Sequence, residues 1–246
     1  MGFFKIFFSV GLVPNYLQGS GLAESSAPYI AIMALALICC SVIPYLLGSI
    51  NFSLIISKKQ YNQDIRDFGS GNAGMTNMMR TYGKKAAGLT LLGDALKAVV
   101  ACLVGYAALG QNGAYFAGLF CIIGHMFPVF YKFRGGKGVV TTAITVLMCN
   151  PFVFVILISL FVAIVLISKY ISLGSVMCVL IYPLILNRMD KLAFGVETMP
   201  YHAIAVFISV LVIVKHWSNI KRLMNGTESK FSFKKSVKST ETKESK

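Results

Sequence analysis

Charged residues are scarce in this sequence. Asp, Glu, Lys and Arg make up 13% of its 246 residues, whereas hydrophobic residues make up 56%. A typical soluble domain is about a quarter charged, because its surface must face water. The shortage of charge, together with a mean hydropathy of +0.72, excludes a soluble globular domain and predicts an integral membrane protein.

Acidic residues are especially few. The chain has nine Asp and Glu against 23 Lys and Arg, which gives a formal net charge of +14. In a soluble protein this excess would suggest nucleic acid as a partner. In a membrane protein, basic residues collect in the cytoplasmic connectors, so the excess predicts topology and membrane lipid, not nucleic acid, as the partner.

Paired metal-ligand spacings are also missing. The six cysteines all lie in apolar runs, without C-x-x-C spacing and without the polar loops of a disulfide framework. We interpret them as small buried apolar residues, and we predict neither a metal nor another cofactor.

Long apolar runs dominate what is present. Seven segments are candidate membrane-spanning helices: Tyr29–Ser57, Ala86–Leu109, Ala114–Tyr131, Val139–Cys149, Phe152–Ser168, Leu173–Asn187 and Tyr201–Lys215. The fourth is too short to span comfortably, and only Asn150 and Pro151 separate it from the fifth. The two form either a tight hairpin or one kinked span.

The basic residues orient these spans. With the hairpin counted as two spans, nineteen of the 23 Lys and Arg fall on one set of connectors and three on the other, with Lys97 inside a span. The positive-inside rule then predicts seven transmembrane helices with the N-terminus outside and the C-terminus in the cytoplasm. Merging the hairpin into one span would move the basic C-terminal segment outside.

Both ends of the chain differ from the middle. Residues 1–28 form an N-terminal extension that we expect to lie on the membrane surface, since it lacks a convincing signal-peptide cleavage site. Residues 227–246 form a tail rich in Lys, Ser and Glu, predicted to be disordered and drawn to anionic headgroups. The predicted catalytic domain is 29–226.

A glycine-rich stretch, "DIRDFGSGNAGMTNMMR", follows the first span. Gly69, Gly71 and Gly74 have the G-x-G-x-x-G spacing of a dinucleotide-binding turn. The preceding "YNQDIRDF" is no buried strand, and Asp94, the acid 20 residues after Gly74, lies in an apolar span, which excludes that fold.

The same stretch nevertheless suits an anion. Glycines let backbone N–H groups turn toward a phosphate, and neutral side-chain donors add to them. A flexible polar linker is the alternative, but a linker does not need Arg80 so close to the hydrocarbon. The candidate ligands are Ser70, Gly71, Asn72, Thr76, Asn77 and Arg80.

A second polar block, "GHMFPVFYKFRGGKGVVTT", spans residues 124–142. Its "GGKG" is not a Walker A loop, because Lys137 is followed by Gly138 and position 131 is Tyr. Lys137 between glycines is still a compact cation suited to an anionic oxygen. The alternative is an interfacial lysine that anchors the helix.

The remaining polar residues carry weaker signals. His125, and the pair Asp94 and Lys97 three residues apart, lie within spans and are predicted to be mainly structural, the pair facing the protein interior or a polar cavity and His125 bonding a neighbouring helix. "KYISLGS" places Ser175 where a span begins, and "KHWSNIKRLMNG" places His216 and Asn219 one helical turn apart. Helix caps and an interfacial motif remain alternatives for these two clusters.

Taken together, the blocks resemble the bacterial acyl-phosphate:glycerol-3-phosphate acyltransferase family, PlsY. The resemblance runs from near Tyr45 to Phe231 and rests on "LLGSI", the two blocks above, "GDALKA", "KYISLGS" and "HWSNIKRLMNG". Family members have proline and glycine where this chain has Asn51 and Ser53, so the packing of the first span is expected to differ.

The resemblance implies a seven-span enzyme of the bacterial inner (plasma) membrane with its active site at the cytoplasmic face. It would transfer a fatty acyl group from acyl phosphate to the sn-1 hydroxyl of glycerol 3-phosphate, releasing phosphate and 1-acylglycerol 3-phosphate for phospholipid synthesis. The implied catalytic residues are Arg80, Lys137, His216 and Asn219, and the implied phosphate-binding residues are Ser70, Gly71, Asn72, Asn77 and Ser175.

The three histidines limit the mechanism. None begins an H-x-x-x-x-D motif, the general-base signature of other glycerol-phosphate acyltransferases. We therefore expect direct transfer without an acyl-enzyme, with His216 and Asn219 orienting the acceptor; His216 as general base is the rival assignment. A phosphate-ester transporter is an alternative function, although it would place charges near the membrane midplane and show repeat symmetry. A non-catalytic scaffold would not need four polar clusters on one side.

Overall fold

The computed structural model describes residues 11–22, 26–194 and 199–231, and within these ranges all regular structure is helical. The predicted all-α class is therefore confirmed for the described residues. The helices are α1 (Leu12–Gly19), α2 (Ala27–Ser49), α3 (Phe52–Tyr61), α4 (Met75–Tyr82), α5 (Lys84–Met126), α6 (Val139–Cys149), α7 (Pro151–Ser168), α8 (Ile171–Phe194), α9 (Met199–Lys215) and α10 (Trp217–Met224).

The first predicted span, Tyr29–Ser57, is not one continuous helix. The helix ends at Ser49, and Asn51 starts the next one as its N-cap, accepting a hydrogen bond from Leu54 N at 3.2 Å. Ser53 Oγ donates to the same Asn51 oxygen at 2.6 Å. The two residues that depart from the family pattern therefore form the break, because an Asn side chain competes with the helix backbone for its N–H groups.

Helix α5 folds back on itself. Its backbone leaves helical geometry at Leu109 and at Gly110, where φ is +63°. A Cβ on Gly105 would lie 2.2 Å from Gly113 O, although a straight helix would hold these residues about 12 Å apart. Residues 84–109 and 110–126 are therefore two arms of a hairpin, as the predicted connector after Leu109 requires.

The chain breaks again between α6 and α7. Asn150 leaves helical geometry, with φ −149° and ψ 88°, and its side chain accepts a hydrogen bond from Val153 N at 3.2 Å. Pro151 opens α7, where its missing N–H costs nothing. The predicted stop and start at Asn150 and Pro151 are confirmed.

Four described helical stretches are long and apolar enough to cross a membrane: Ala27–Tyr61, Lys84–Tyr131, Pro151–Ser168 and Ile171–Met189. A fifth results if Tyr201–Lys215 and Trp217–Met224, bent by 59°, form one broken span. Val139–Cys149 is shorter. The chain is a multi-pass membrane protein, while the count of seven and the orientation remain predictions.

The described parts of the two ends pack onto this domain. A Cβ on Gly11 would lie 2.4 Å from Gly110 N, so the segment leading into α1 rests on the turn of the α5 hairpin. At the other end, Phe231 N donates to Lys169 O at 2.6 Å. Residues 1–10, 23–25 and 232–246, which carry most of both terminal predictions, lie outside the described residues.

Candidate active site

A cavity of about 730 Å³ lies among α4, α5, α6, α7, α8 and the start of α10. One end is polar and the rest is apolar. Of the nine site residues that the family resemblance implies, eight line this cavity: Ser70, Asn72, Asn77, Arg80, Lys137, Ser175, His216 and Asn219. The further candidate Thr76 lines it as well. Ser70 and Asn219, which are 149 positions apart in the sequence, thus line the same cavity.

Gly71 is not among the lining residues. Its N–H donates to Phe68 O at 3.0 Å and closes a turn, with φ at +69°. The backbone group that was expected to face a phosphate is used inside the loop. Gly71 therefore shapes the loop, and the structure does not present its amide to a ligand.

Asn77 is likewise committed to the loop. Its side chain is buried, and Oδ1 accepts a hydrogen bond from Ser70 N at 2.9 Å. Nδ2 donates to Ile65 O at 3.1 Å and to Phe68 O at 2.9 Å. These three bonds hold the glycine loop in shape, which is a positioning role, whereas the sequence analysis assigned Asn77 to phosphate directly.

Arg80 occupies the last turn of α4 beside the cavity. Its guanidinium Nη2 donates to Ser229 O at 3.3 Å and is otherwise exposed. A backbone carbonyl is a weak partner for a guanidinium, which binds carboxylate or phosphate oxygens more strongly. Arg80 is therefore available to an anionic ligand.

Lys137 follows two glycines in the loop between the second arm of α5 and α6. Its ammonium donates a hydrogen bond to Asn219 Oδ1 on α10. Burial lowers the pKa of Lys137 to about 8, with repulsion from Arg222 and Arg80 adding to the shift and Glu228 opposing it. A desolvated cation of this kind gains strongly from an anionic ligand.

His216 and Asn219 lie at the bend between α9 and α10. His216 Nδ1 is 2.8 Å from Val212 O. A carbonyl can only accept, so Nδ1 carries the proton, and in the neutral ring Nε2 is left as an acceptor. Asn219 Nδ2 donates to Glu228 Oε1 at 2.7 Å, which fixes its oxygen toward Lys137.

Glu228 is a site residue that the sequence analysis missed and placed in the disordered tail. Its carboxylate is buried and accepts hydrogen bonds from Ser172 Oγ at 2.8 Å and from Arg222 Nε at 2.7 Å, besides the one from Asn219. Burial alone would raise the pKa of Glu228, but these hydrogen bonds outweigh it and the pKa is lowered. The only available signal was a lone acid six residues after Arg222.

Ser175 lies near this carboxylate, at the start of α8. Its Oγ donates to Ile171 O at 2.9 Å within the same helix, and the residue lines the cavity. A serine hydroxyl can rotate and retains two acceptor lone pairs. It fits the wall of a polar pocket.

The apolar part of the cavity extends away from these groups along several helices. Ser175 and Tyr182 both line it and are about 10 Å apart along α8. Its other lining residues include Leu91, Val140, Val146, Phe154, Leu157, Phe161 and Val179. A polar end that includes the cations of Arg80 and Lys137 and the carboxylate of Glu228, joined to an apolar chamber, suits an anionic head group with an aliphatic tail.

The buried groups predicted to be structural are paired as expected. Lys97 Nζ lies 2.8 Å from Asp94 Oδ1, and His125 Nδ1 on the other arm of α5 lies 2.9 Å from Lys97 Nζ. Asp94 and His125 also line the cavity; a polar cavity was one of the two predicted surroundings of Asp94, whereas His125 was predicted only to bond a neighbouring helix.

The chain is similar to known acyltransferases over most of its length. The family model described as glycerol-3-phosphate acyltransferase matches residues 38–226. A glycerol-3-phosphate acyltransferase of Alkaliphilus metalliredigens is 42% identical over 193 residues, covering 78% of this chain and 95% of that protein. One from Rhizobium etli is 42% identical over 195 residues, covering 79% and 91%.

Solved structures are similar as well. Crystal structures of PlsY, an integral membrane glycerol 3-phosphate acyltransferase, superpose with a TM-score of 0.72 and 34% identity for the glycerol 3-phosphate form and 0.70 and 32% for the lysophosphatidic acid form. Each comparison covers 80% of this chain and 96% of the PlsY chain. The resemblance in the sequence blocks is confirmed, and this chain belongs to the glycerol-3-phosphate acyltransferase family, PlsY.

Proposed function

We propose that this chain transfers a fatty acyl group from an acyl phosphate to the sn-1 hydroxyl of glycerol 3-phosphate, giving 1-acylglycerol 3-phosphate and inorganic phosphate. The observation that carries the proposal is one cavity whose polar end holds Arg80, Lys137, His216 and Asn219 and whose remainder is apolar. Both substrates bear a phosphate and one bears an alkyl chain, so a single cavity of this composition accommodates both.

The reaction needs no acyl-enzyme. The sn-1 oxygen of glycerol 3-phosphate attacks the acyl carbonyl carbon, the bond from that carbon to the phosphate oxygen breaks, and the hydroxyl proton passes to the departing phosphate. The donor is already activated, so the protein contributes binding, alignment and charge stabilisation. No metal or other cofactor enters the proposal.

Each residue is assigned a role according to where it lies in the cavity. Arg80 and Lys137 hold phosphate oxygens and offset the charge that develops on the leaving group. His216 and Asn219 orient glycerol 3-phosphate, with Asn219 already bonded to Lys137. Ser70, Asn72 and Ser175 line the pocket around the phosphates, while Gly71 and Asn77 hold the glycine loop in shape.

The proposal keeps the predicted membrane arrangement. It assigns the seven predicted spans to α2, the two arms of α5, α6, α7, α8 and α9 in chain order. With the N-terminus outside, the polar end of the cavity faces the cytoplasm of a bacterial cell, at the surface of the inner (plasma) membrane. This placement is supported by the basic connectors.

A direct assay tests the donor and the site together. Purified protein is mixed with palmitoyl phosphate and glycerol 3-phosphate, and phosphate release is followed. We expect release that needs both substrates and is strongly reduced in Lys137→Ala. No release, or release unaffected by the substitution, would refute the proposal, and equal turnover with acyl-CoA would refute the donor. Uptake of glycerol 3-phosphate by vesicles without product would favour the transporter.

A further inference from the structure

A buried polar cluster lies beneath the glycine loop that carries Lys137. Asp94, Lys97 and His125 are 2%, 5% and 4% exposed. Burying charges is expensive unless each is paired, and here the Lys97 ammonium lies within 3 Å of both the Asp94 carboxylate and the His125 ring. None of the three has a role in the reaction described above.

Lys97 fixes the ring of His125. His125 Nδ1 lies 2.9 Å from the Lys97 ammonium, so this edge of the ring faces Lys97 and the other ring nitrogen, Nε2, faces the glycine loop. Lys97 is itself held by Gly48 O at 3.0 Å and Ile50 O at 2.7 Å, at the end of α2. The ring therefore has one orientation, set from two neighbouring helices.

The glycine loop rests directly on this residue. Gly136 N donates to His125 O at 3.1 Å. A Cβ on Gly136 would lie 2.2 Å from His125 Nε2, and a Cβ on Gly135 would lie 2.1 Å from His125 O. The two glycines are thus pressed against the ring and the carbonyl of His125, and the next residue is Lys137.

We propose that His125 is a positioning residue for Lys137: its imidazole, held by Lys97 and Asp94, is the surface on which Gly135 and Gly136 lie. The inference rests on the proposed function, in which Lys137 holds phosphate oxygens, and it takes those of glycerol 3-phosphate as the measurable case. Without the ring, the loop gains freedom that substrate binding must remove, so affinity falls.

Two substitutions separate the two nitrogens of the ring. His125→Gln places an amide nitrogen near the position of Nε2, against Gly136, whereas His125→Asn keeps a polar atom near Nδ1 and leaves the space at Gly136 empty. We expect His125→Ala and His125→Asn to raise the Kd for sn-glycerol 3-phosphate at least about tenfold, and His125→Gln to restore most of the affinity.

The measurement is calorimetric titration of the detergent-solubilised full chain with sn-glycerol 3-phosphate. His202→Ala is the matched control, because His202 lies on α9 and does not line the cavity. We expect this control to bind as the unmodified chain does. Equal affinity of His125→Asn and His125→Gln, or an unchanged Kd in His125→Ala, would overturn the proposal. If His125→Ala fails to fold, the Asn and Gln pair still decides.

A double substitution tests whether His125 acts through Lys137. In a Lys137→Ala background, His125→Ala should weaken binding no further, since the group being positioned is gone. If His125→Ala raises the Kd by the same factor with Lys137 present and with Lys137→Ala, its effect is independent of Lys137 and the positioning role is refuted. Failure of the unmodified chain to use acyl phosphate would refute the proposed function and leave these binding results interpretable.

Discussion

Lys137 donates a hydrogen bond to the side-chain oxygen of Asn219, a residue 82 positions later in the chain. The contact joins the glycine loop before α6 to the bend between α9 and α10. Asn219 is in turn held by Glu228, so the cation, the amide and the carboxylate form one chain of hydrogen bonds. A phosphate entering the cavity meets a lysine that is already placed and only partly solvated.

This environment predicts an alkaline limit to activity. Phosphate binding needs charged Lys137, and the pKa of Lys137 in the free enzyme is lowered to about 8 by burial and by the neighbouring cations. As pH rises through about 8, the free enzyme loses this proton, so kcat/KM for glycerol 3-phosphate should fall. The substrate phosphate, with its second pKa near about 6, does not titrate in that range.

Lys137→Arg is the matched variant for this fall in kcat/KM on the alkaline side of the pH profile. Its guanidinium stays charged to a pH above about 12, so the fall near pH 8 should disappear even where the absolute rate is lower. Lys137→Ala should lose about a hundredfold or more in kcat/KM at neutral pH. An alkaline limb that persists unchanged in Lys137→Arg would assign it to another group.

His216→Gln distinguishes orientation from base catalysis. Because Nδ1 of His216 is bonded to Val212 O, only Nε2 could accept a proton from substrate. If His216 orients glycerol 3-phosphate, the variant should keep residual activity and KM should rise. Its activity should show no pH dependence that the unmodified chain lacks. A loss of about a thousandfold or more in kcat at unchanged KM would support the general-base assignment.

Gly69→Ala should damage the site through Asn77. Gly69 has φ +60°, and a Cβ there would lie 2.3 Å from Asn77 Oδ1, the atom that holds Ser70 N. We expect kcat/KM to fall about a hundredfold, since displacements of about 1 Å near reacting groups have effects of this size.

Gly21→Ala is the control for Gly69→Ala. Gly21 has φ +69° but no atom within 4 Å of an added Cβ, so it carries the same backbone strain without the collision. Gly21→Ala should lose about 1 kcal/mol of stability, measured by thermal unfolding, and Gly69→Ala more because of the collision, while only Gly69→Ala should lose activity. Similar activity in the two variants would argue against the role given to Asn77.

Much of the fold was predictable because the membrane imposes it. Apolar length predicted the helices, and Asn150 with Pro151 predicted a break that the structure has. The break at Asn51 was missed, because the apolar run continues through it and the cause is an N-cap together with Lys97, 46 residues away. Hydropathy depends only on residue composition, whereas an N-cap depends on the position of a side chain relative to the backbone N–H groups of the helix.

Part of the site was predictable from residue type. Arg80, Lys137, His216 and Asn219 each lie in a polar block and the structure brings them to one cavity, while their catalytic roles remain predictions. The site was less predictable where a residue acts through backbone contacts. Asn77 and Gly71 have the types expected of phosphate ligands, yet their polar groups are used within the loop. Glu228 lies in no hydrophobic repeat from which its position could be predicted. Its role depends on partners that only the folded chain brings together.

The orientation of the chain can be tested on the α5 hairpin. Lys85 lies in the first turn of α5 and Asn112 lies just after the bend, and both are exposed. The arm between them is about 39 Å long, enough to cross the hydrocarbon, so the two positions should lie on opposite sides. Asn112→Cys should react with an impermeant maleimide in intact cells, and Lys85→Cys only after lysis.

The unmodified chain provides the background for this labelling, because five of its six cysteines are buried and Cys39 lies within α2. The reverse pattern would place the polar end of the cavity outside, away from cytoplasmic glycerol 3-phosphate. Labelling of both positions in intact cells would show that residues 84–109 do not cross the membrane. Only the expected pattern puts Arg80, four residues before this arm, on the cytoplasmic side that the proposed function requires.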